Sequence, residues 1–341
     1  MEITPRRAIK AVLKGELPPR PLLMPILFSL GARLENVTMR DFLSNPTKIA
    51  NALRQIRSVL RVDALACYFD HFLEAEALGC KLNWGPDGPC GLVCPQFSEV
   101  EELRQKLHSP DKLATLGRIP VASQVLQRLK VMLKDEPGLM VGVSGPLTLA
   151  AQLLVGSGRN DGVLLPNLVA FAAEVTARVS QTFVEAGADV VLLVESVPRY
   201  LAAETWDSWA SLLDPVVNVI RFYEALPVLL LNNSTRAQDF PPAMFSRAWN
   251  CLLCTVWSEA ELVGDDIRMP LGSGVALPTR VFSGEQSDFE DLVRAAGRFI
   301  ARQTSTLLTS SGDIPATSDI KHLAHVLDTI RSVPVQVVQG Q

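Results

Sequence analysis

The apolar positions of the chain alternate between two textures. Leu22 to Phe28, Asp63 to Phe69, Leu139 to Val143, Asp189 to Val194 and Pro227 to Leu231 are short runs, apolar on both faces. Such runs predict strands buried between two layers, the pattern of a parallel sheet covered by helices. Asn250 to Val256, Arg268 to Gly272 and Ser305 to Thr309 read as three further short strands. Between them lie stretches with apolar residues at three- to four-residue spacing, which predicts amphipathic helices. These are Asp41 to Leu60, Val100 to Leu107, Val121 to Lys134, a helix opening at Leu147, Val163 to Ala186 closed by Gly187, Glu204 to Ala225, Ser258 to Val263, Ser287 to Arg302 and Ser318 to Arg331. An N-terminal helix, Arg6 to Lys14, has Thr4 as its N-cap, Pro5 at its first position and Gly15 at its end. Lys81 to Gln96 breaks the rhythm with Gly, Pro and Trp84, and reads as an inserted hairpin near the site. About eight strands, most of them followed by a helix, predict an α/β fold, a (β/α)8 TIM barrel. One domain over residues 1–332 is expected, with 333–341 a frayed C-terminal tail. A doubly wound open sheet has less support, because no G-x-G-x-x-G follows the first strand.

Composition narrows the class. The 341 residues are 48% hydrophobic and 20% charged, enough for a large core. The net charge is −4, the isoelectric point is about 5.7, and no Lys/Arg block stands out. That excludes the electrostatic footprint of a nucleic-acid or anionic-membrane binder. No run of about 18 apolar residues is present, and no apolar secretory stretch follows Met1-Glu2-Ile3-Thr4-Pro5-Arg6-Arg7. The expectation is a cytoplasmic protein acting on a small molecule. Six cysteines, at 67, 80, 90, 94, 251 and 254, give no dense disulfide framework. Cys251 and Cys254 flank two leucines and read as core thiols. A soft-metal site from Cys80, Cys90 and Cys94 is the weaker alternative, since their spacing matches no metal template.

In a barrel the residues after each strand share one rim, whatever their separation in sequence. Asp70 comes directly after an apolar strand and is taken as the centre of the site, against the plainer reading of a loop or capping aspartate. The other strand ends supply Arg33, His71, Ser144 with Thr148 and Gln152, Glu195 with Ser196, Asn232 with Asn233, and Ser311 with Asp313. This is a polar, mixed-charge set without a Ser-His-Asp or Cys-His arrangement. His108, His322 and His325 read as surface residues. The glycine-rich run from Gly156 to Gly162 lacks the Gly-Lys-Ser/Thr ending of a P-loop and reads as a flexible loop.

Thr4-Pro5-Arg6-Arg7, Phe69-Asp70 with Glu76-Ala77-Leu78-Gly79, Gly145-Pro146-Leu147-Thr148-Leu149-Ala150, Glu185-Ala186-Gly187-Ala188-Asp189 and Gly312-Asp313-Ile314-Pro315 together resemble the uroporphyrinogen decarboxylase superfamily. The resemblance runs from about Thr4 to Arg331. It implies a (β/α)8 barrel and one of two chemistries, porphyrinogen decarboxylation or zinc-dependent methyl transfer with a corrinoid protein. In the decarboxylases an aspartate at the place of Asp70 holds the pyrrole N–H groups, and two arginines meet the substrate carboxylates. Arg33 matches one of these arginines. Gln152 stands where that branch has a tyrosine, Ser196 where it has a serine, and its late histidine has no counterpart. Leu30 to Leu43 and Asp70 to Cys80 resemble the methyltransferase branch more closely. That branch's zinc ligands, however, are replaced by Leu231-Asn232-Asn233 and by Ser311-Gly312-Asp313 with the cysteine missing.

The resulting expectation is a zinc-independent, corrinoid-linked methyltransferase acting on a small molecule. Asp70 is its catalytic residue, and Arg33, His71, Thr148, Gln152, Glu195, Ser196, Asn232 and Asn233 bind substrate. No metal and no tightly bound cofactor are expected, and methylcobalamin would be presented by a corrinoid partner protein. The alternatives are a (uro)porphyrinogen-type decarboxylase, and a catalytically silent barrel that binds a tetrapyrrole or a corrinoid partner.

Overall fold

The computed structural model describes residues 3–134, 136–159, 164–196, 206–231, 252–256, 273–283 and 305–332. Eight strands form one sheet: β1 (Leu22–Leu23), β2 (Ala64–Tyr68), β5 (Gly138–Ser144), β6 (Val190–Glu195), β7 (Leu226–Leu231), β8 (Leu252–Val256), β9 (Ser273–Leu277) and β10 (Ser305–Ser310). Their order is β1-β10-β9-β8-β7-β6-β5-β2, and every described pairing is parallel. All residues of β2, β5, β6 and β7 are buried. This is the two-sided burial that their uninterrupted apolar runs predict. The β3 (Lys81–Gly85) and β4 (Gly88–Val93) strands form a separate antiparallel hairpin, the insertion expected in that stretch.

The helices are α1 (Pro5–Leu13), α2 (Leu30–Leu34), α3 (Met39–Leu43), α4 (Pro46–Leu60), α5 (Leu73–Ala77), α6 (Val100–Lys106), α7 (Ile119–Leu133), α8 (Pro146–Gly156), α9 (Pro166–Ala186), α10 (Trp206–Phe222), α11 (Thr279–Ser283) and α12 (Ile320–Ser332). The single helix expected over Asp41 to Leu60 is two. Pro46 cannot donate a backbone hydrogen bond, so the chain restarts there as α4, and the Asn45 side chain accepts from the amides of Thr47 and Lys48, both at 3.1 Å. Thr4, expected as an N-cap, holds that position without a side-chain hydrogen bond. Gly187 ends α9 at φ 110°, a left-handed conformation that a residue with a Cβ resists.

The strand expected over Leu22 to Phe28 keeps a ladder only at Leu22–Leu23. Beyond it, Met24 N donates to Leu308 O at 2.8 Å, Pro25 has no N–H, and Ile26 N is taken by the Ser310 hydroxyl at 2.9 Å. Side-chain hydrogen bonds replace the ladder beyond Met24. The expected strand Arg268 to Gly272 lies outside the described residues; the described strand, β9, begins directly after it. The expected helices Ser258 to Val263 and Ser287 to Arg302, much of the glycine-rich loop, Cys251 and the tail from Val333 also lie outside them.

At the N-terminal ends of the strands, two aspartates tie elements together. Asp63 accepts Leu23 N at 2.7 Å and both arms of Arg20 at 2.7 and 2.8 Å, and Asp63 N donates to Leu23 O at 2.9 Å. Asp189 accepts Leu139 N at 3.0 Å and Arg6 Nε at 2.7 Å. Acidic groups at this face serve the scaffold, and the opposite face is left for chemistry. Cys80 and Cys94 are joined by a disulfide across the base of the hairpin, which corrects the soft-metal alternative for these two residues. Cys254 is buried, as expected of a core thiol. No described helix is long and apolar enough to cross a membrane.

Candidate active site

The C-terminal ends of β2, β5 and β6 stand side by side. The β5–β6 register pairs Ser144 with Val194, and the β6–β7 register pairs Glu195 with Leu231. A narrow crevice lies there, with no room for a water molecule, lined by Phe69, Asp70, His71, Gly142, Val143, Ser144 and Val194. Gly142 is required at this wall because a Cβ would meet the Phe69 ring at 2.5 Å.

Asp70 lines the crevice with its side chain only 3% exposed. Its Oδ1 accepts the amide of Phe72 at 2.9 Å, and its Oδ2 forms an ion pair with Arg118 Nη1. Arg118, itself 6% exposed, also donates from Nε to Glu76 Oε2 at 2.7 Å and from Nη1 to the Tyr68 hydroxyl at 3.3 Å. The Tyr68 hydroxyl donates in turn to Leu43 O at 2.7 Å. Burial pushes the Tyr68 hydroxyl above its ordinary range, so it stays a protonated donor. For Arg118, burial opposes the charge, but the carboxylates of Asp70 and Glu76 outweigh it and hold the guanidinium protonated. Sequence reasoning missed Arg118. The available signal was a cation immediately before the helix start Ile119-Pro120, where the helix dipole disfavours it.

Two further carboxyls hold the turn between β5 and α8. Glu195 is fully buried. Its Oε1 accepts from Leu147 N at 3.1 Å and Trp209 Nε1 at 3.3 Å, and its Oε2 accepts from Thr148 N at 2.8 Å and Thr148 Oγ1 at 2.7 Å. It therefore occupies the amide-rich N-terminus of α8. Gly145 makes this approach possible, since a Cβ there would collide with the Glu195 carboxyl. Burial raises the Glu195 pKa to about 7 against the pull of those four donors. Glu74, also fully buried, accepts Ser144 N at 3.1 Å on Oε1, and its Oε2 has no partner. Burial pushes it up to about 7, and the nearby Asp70 adds to the rise. Ser144 is pinned on three sides: its amide meets Glu74, its hydroxyl donates to His71 O at 3.1 Å, and its carbonyl accepts from Thr176 at 3.0 Å.

The remaining candidates divide. Gln152 Nε2 donates to His71 O at 2.7 Å, and the His71 ring stands edge-on to Phe69 with centroids 5.2 Å apart, so both lie at this rim. Thr148 serves Glu195 and accepts the amide of Ser196 at 2.8 Å. Arg33, on the surface, donates from Nη1 to Ala316 O at 3.3 Å and Ser318 O at 3.0 Å, just before α12. Asp313 accepts the amides of Phe28 (2.9 Å) and Ser29 (3.0 Å) and the Ser29 hydroxyl, anchoring the loop after β1. Asn232 and Asn233 lie outside the described residues. Among the described residues no three His, Cys, Asp or Glu side chains converge as a metal site. Asp70, Glu195 and Asp313 each have protein partners of their own, and Leu231, at the end of β7, has no donor atom. The described residues do not assemble a zinc centre.

The model for uroporphyrinogen decarboxylase (URO-D) matches residues 4–333. A methylated-thiol–coenzyme M methyltransferase of Methanosarcina mazei is 31% identical over 157 residues, which are 45% of this chain and 41% of that enzyme. A uroporphyrinogen decarboxylase of Myxococcus xanthus is 26% identical over 252 residues, 70% of this chain and 66% of that enzyme. The chain thus matches less than two thirds of either relative's length. Among solved structures, a methyltransferase from Methanosarcina mazei superposes with a TM-score of 0.77, covering 97% of this chain and 99% of that one at 18% identity. At that identity the likeness is one of fold.

Proposed function

The chain belongs to the uroporphyrinogen decarboxylase family, and from that premise we propose that it is a zinc-independent methyltransferase acting on a small molecule with a corrinoid partner protein. The observation that carries the reading is Asp70, a carboxylate on the wall of the rim crevice that is held from behind by Arg118. A buried, fixed anion at a strand C-terminus suits two tasks. It anchors a polar hydrogen of the small molecule, and it takes the proton that an acceptor heteroatom loses as its bond to the methyl carbon forms and the donor's bond to that carbon breaks, the bonding pair staying with the donor. The methyltransferase relative supports this chemistry over others. The same reading takes the sheet as a closed (β/α)8 barrel, supported by the two hydrogen bonds that Leu23 exchanges with Asp63. Decarboxylation of a porphyrinogen is the second reading, favoured by the longer match to a decarboxylase.

The deciding experiment incubates purified protein with methylcobalamin and candidate acceptors, and separately with uroporphyrinogen. Cobalamin demethylation supports methyl transfer; loss of carboxyl groups from the porphyrinogen transfers the assignment to the second reading. Zinc content is a further check. Leu231 cannot coordinate, so elemental analysis should find well under one zinc per chain, and turnover should survive EDTA. Stoichiometric zinc lost together with activity would refute the zinc-independent reading. Arg33 is assigned to substrate affinity. Only its Nη1 has partners described here, which leaves donors for an anionic substrate. Arg33→Ala is expected to raise KM for such a substrate by about 10-fold with little change in kcat. An unchanged KM would confine this arginine to bracing the loop before α12.

A further inference from the structure

Arg118 occupies a position that does not favour an arginine. It is the residue before α7, where Ser, Thr, Asp or Asn would cap the helix and where the helix dipole repels a cation. Its side chain makes no cap. It turns to the back of Asp70, where Nη1 and Nε take different partners and Nη2 is buried without a hydrogen bond. Nη1 meets Asp70 Oδ2 and the Tyr68 hydroxyl, and Nε meets Glu76 at 2.7 Å. The Trp84 indole lies 5.3 Å from the guanidinium carbon, and its ring is also 5.1 Å from the guanidinium carbon of Arg40. Tyr68 is fixed by Leu43 O, Glu76 rides on α5, and Trp84 belongs to the β3–β4 hairpin. Three separately anchored elements therefore immobilise one guanidinium against one carboxylate. A lysine head is a point charge and cannot span two carboxylates while stacking on an indole.

We propose that Arg118 is a positioning residue for Asp70: it fixes the carboxylate on the crevice wall in the one orientation in which Phe72 N–H holds Oδ1, and it acts on turnover only through Asp70. The inference deepens the function proposed above and rests on the assignment of Asp70 to the reacting centre. Glu76 is the counterweight. With two carboxylates against one guanidinium the cluster carries a net charge of −1, so Arg118 remains charge-paired when Asp70 is neutralised.

The test uses Arg118→Lys, which keeps the charge and loses the fork, alone and combined with Asp70→Asn. Two measurements are made. The first is hydrogen exchange at the Phe72 amide, which reports whether Asp70 Oδ1 stays in place and needs no catalysis. Arg118→Lys should speed this exchange by at least about 10-fold with the global melting transition retained. The second is steady-state kinetics. kcat should fall about 30-fold with KM nearly unchanged, and Arg118→Lys should add less than about 3-fold in the Asp70→Asn background, because one misplaced group carries the whole effect. Unaltered exchange at Phe72, or an equal kcat loss in both backgrounds, would overturn the proposal and leave Arg118 as a stitch between α5, α7 and the hairpin. Should wild-type protein move no methyl group while Phe72 exchange still responds, the reaction assignment fails and the positioning role stands. If Arg118→Lys does not fold, Glu76→Gln with Trp84→Phe loosens the same guanidinium by milder steps, and the same two readouts decide.

Discussion

Asp70→Asn should lower turnover by at least about 100-fold, about 2.7 kcal/mol of transition-state stabilisation, the amount that a positioned charge or base at a reacting centre typically supplies. The substitution is nearly isosteric. Its effect on stability is limited because Glu76 still neutralises Arg118 at 2.7 Å, so no buried guanidinium is left without a carboxylate. The asparagine carbonyl can face Arg118 in place of Oδ2, which turns its amide toward Phe72 N–H and loses that one hydrogen bond. A penalty of about 1–3 kcal/mol in unfolding free energy is therefore expected, too little to unfold a large domain. Measured kcat and a denaturation curve on the same preparation separate the two effects. Near-wild-type turnover by a folded Asp70→Asn protein would reduce Asp70 to a loop carboxylate that merely pairs Arg118.

Glu74 should make the protein less stable as pH rises from about 4.5 to 7. Its folded-state pKa is about 7 and its ordinary value is 4.5, with burial the leading cause. Below 4.5 the group is neutral in both states and costs nothing. Between the two values the unfolded chain ionises while the folded one keeps its proton, so the native state binds more protons and stability declines with pH. Above 7 the full difference has been lost, about 3 kcal/mol at 1.36 kcal/mol per pH unit. Glu74→Gln removes this titration and retains an oxygen for Ser144 N. The variant should gain several degrees in Tm relative to wild type at pH 8 compared with pH 5. Glu195, which shifts in the same direction, titrates in both proteins and cancels from the difference. A variant-minus-wild-type difference that is flat with pH would mean that Glu74 has a better-solvated oxygen than its surroundings indicate.

The order of strands and helices was legible in the sequence because it is written in local periodicity. Leu139 to Val143 and Asp189 to Val194 are apolar on both faces, and such runs persist only between two covering layers. For the same reason Asp70, Ser144 and Glu195 were recognisable as strand-end residues that share a rim. Local pattern also misled where a single atom decides, as at Pro46, which splits one helix into two, and along the first strand, where Pro25 and the Ser310 hydroxyl replace the ladder. What each rim carboxyl meets was settled only by tertiary structure. Glu195 has a substrate-binding place in the sequence, yet its oxygens accept the amides of Leu147 and Thr148, the latter 47 residues away. Asp313 closes on Ser29 across 284 residues. Arg118, which no sequence pattern singled out, reaches Glu76 across 42. Periodicity records whether a residue faces the core or water. It does not record which distant charge arrives beside it, because buried ion pairing depends on distance and direction that only the packed chain fixes.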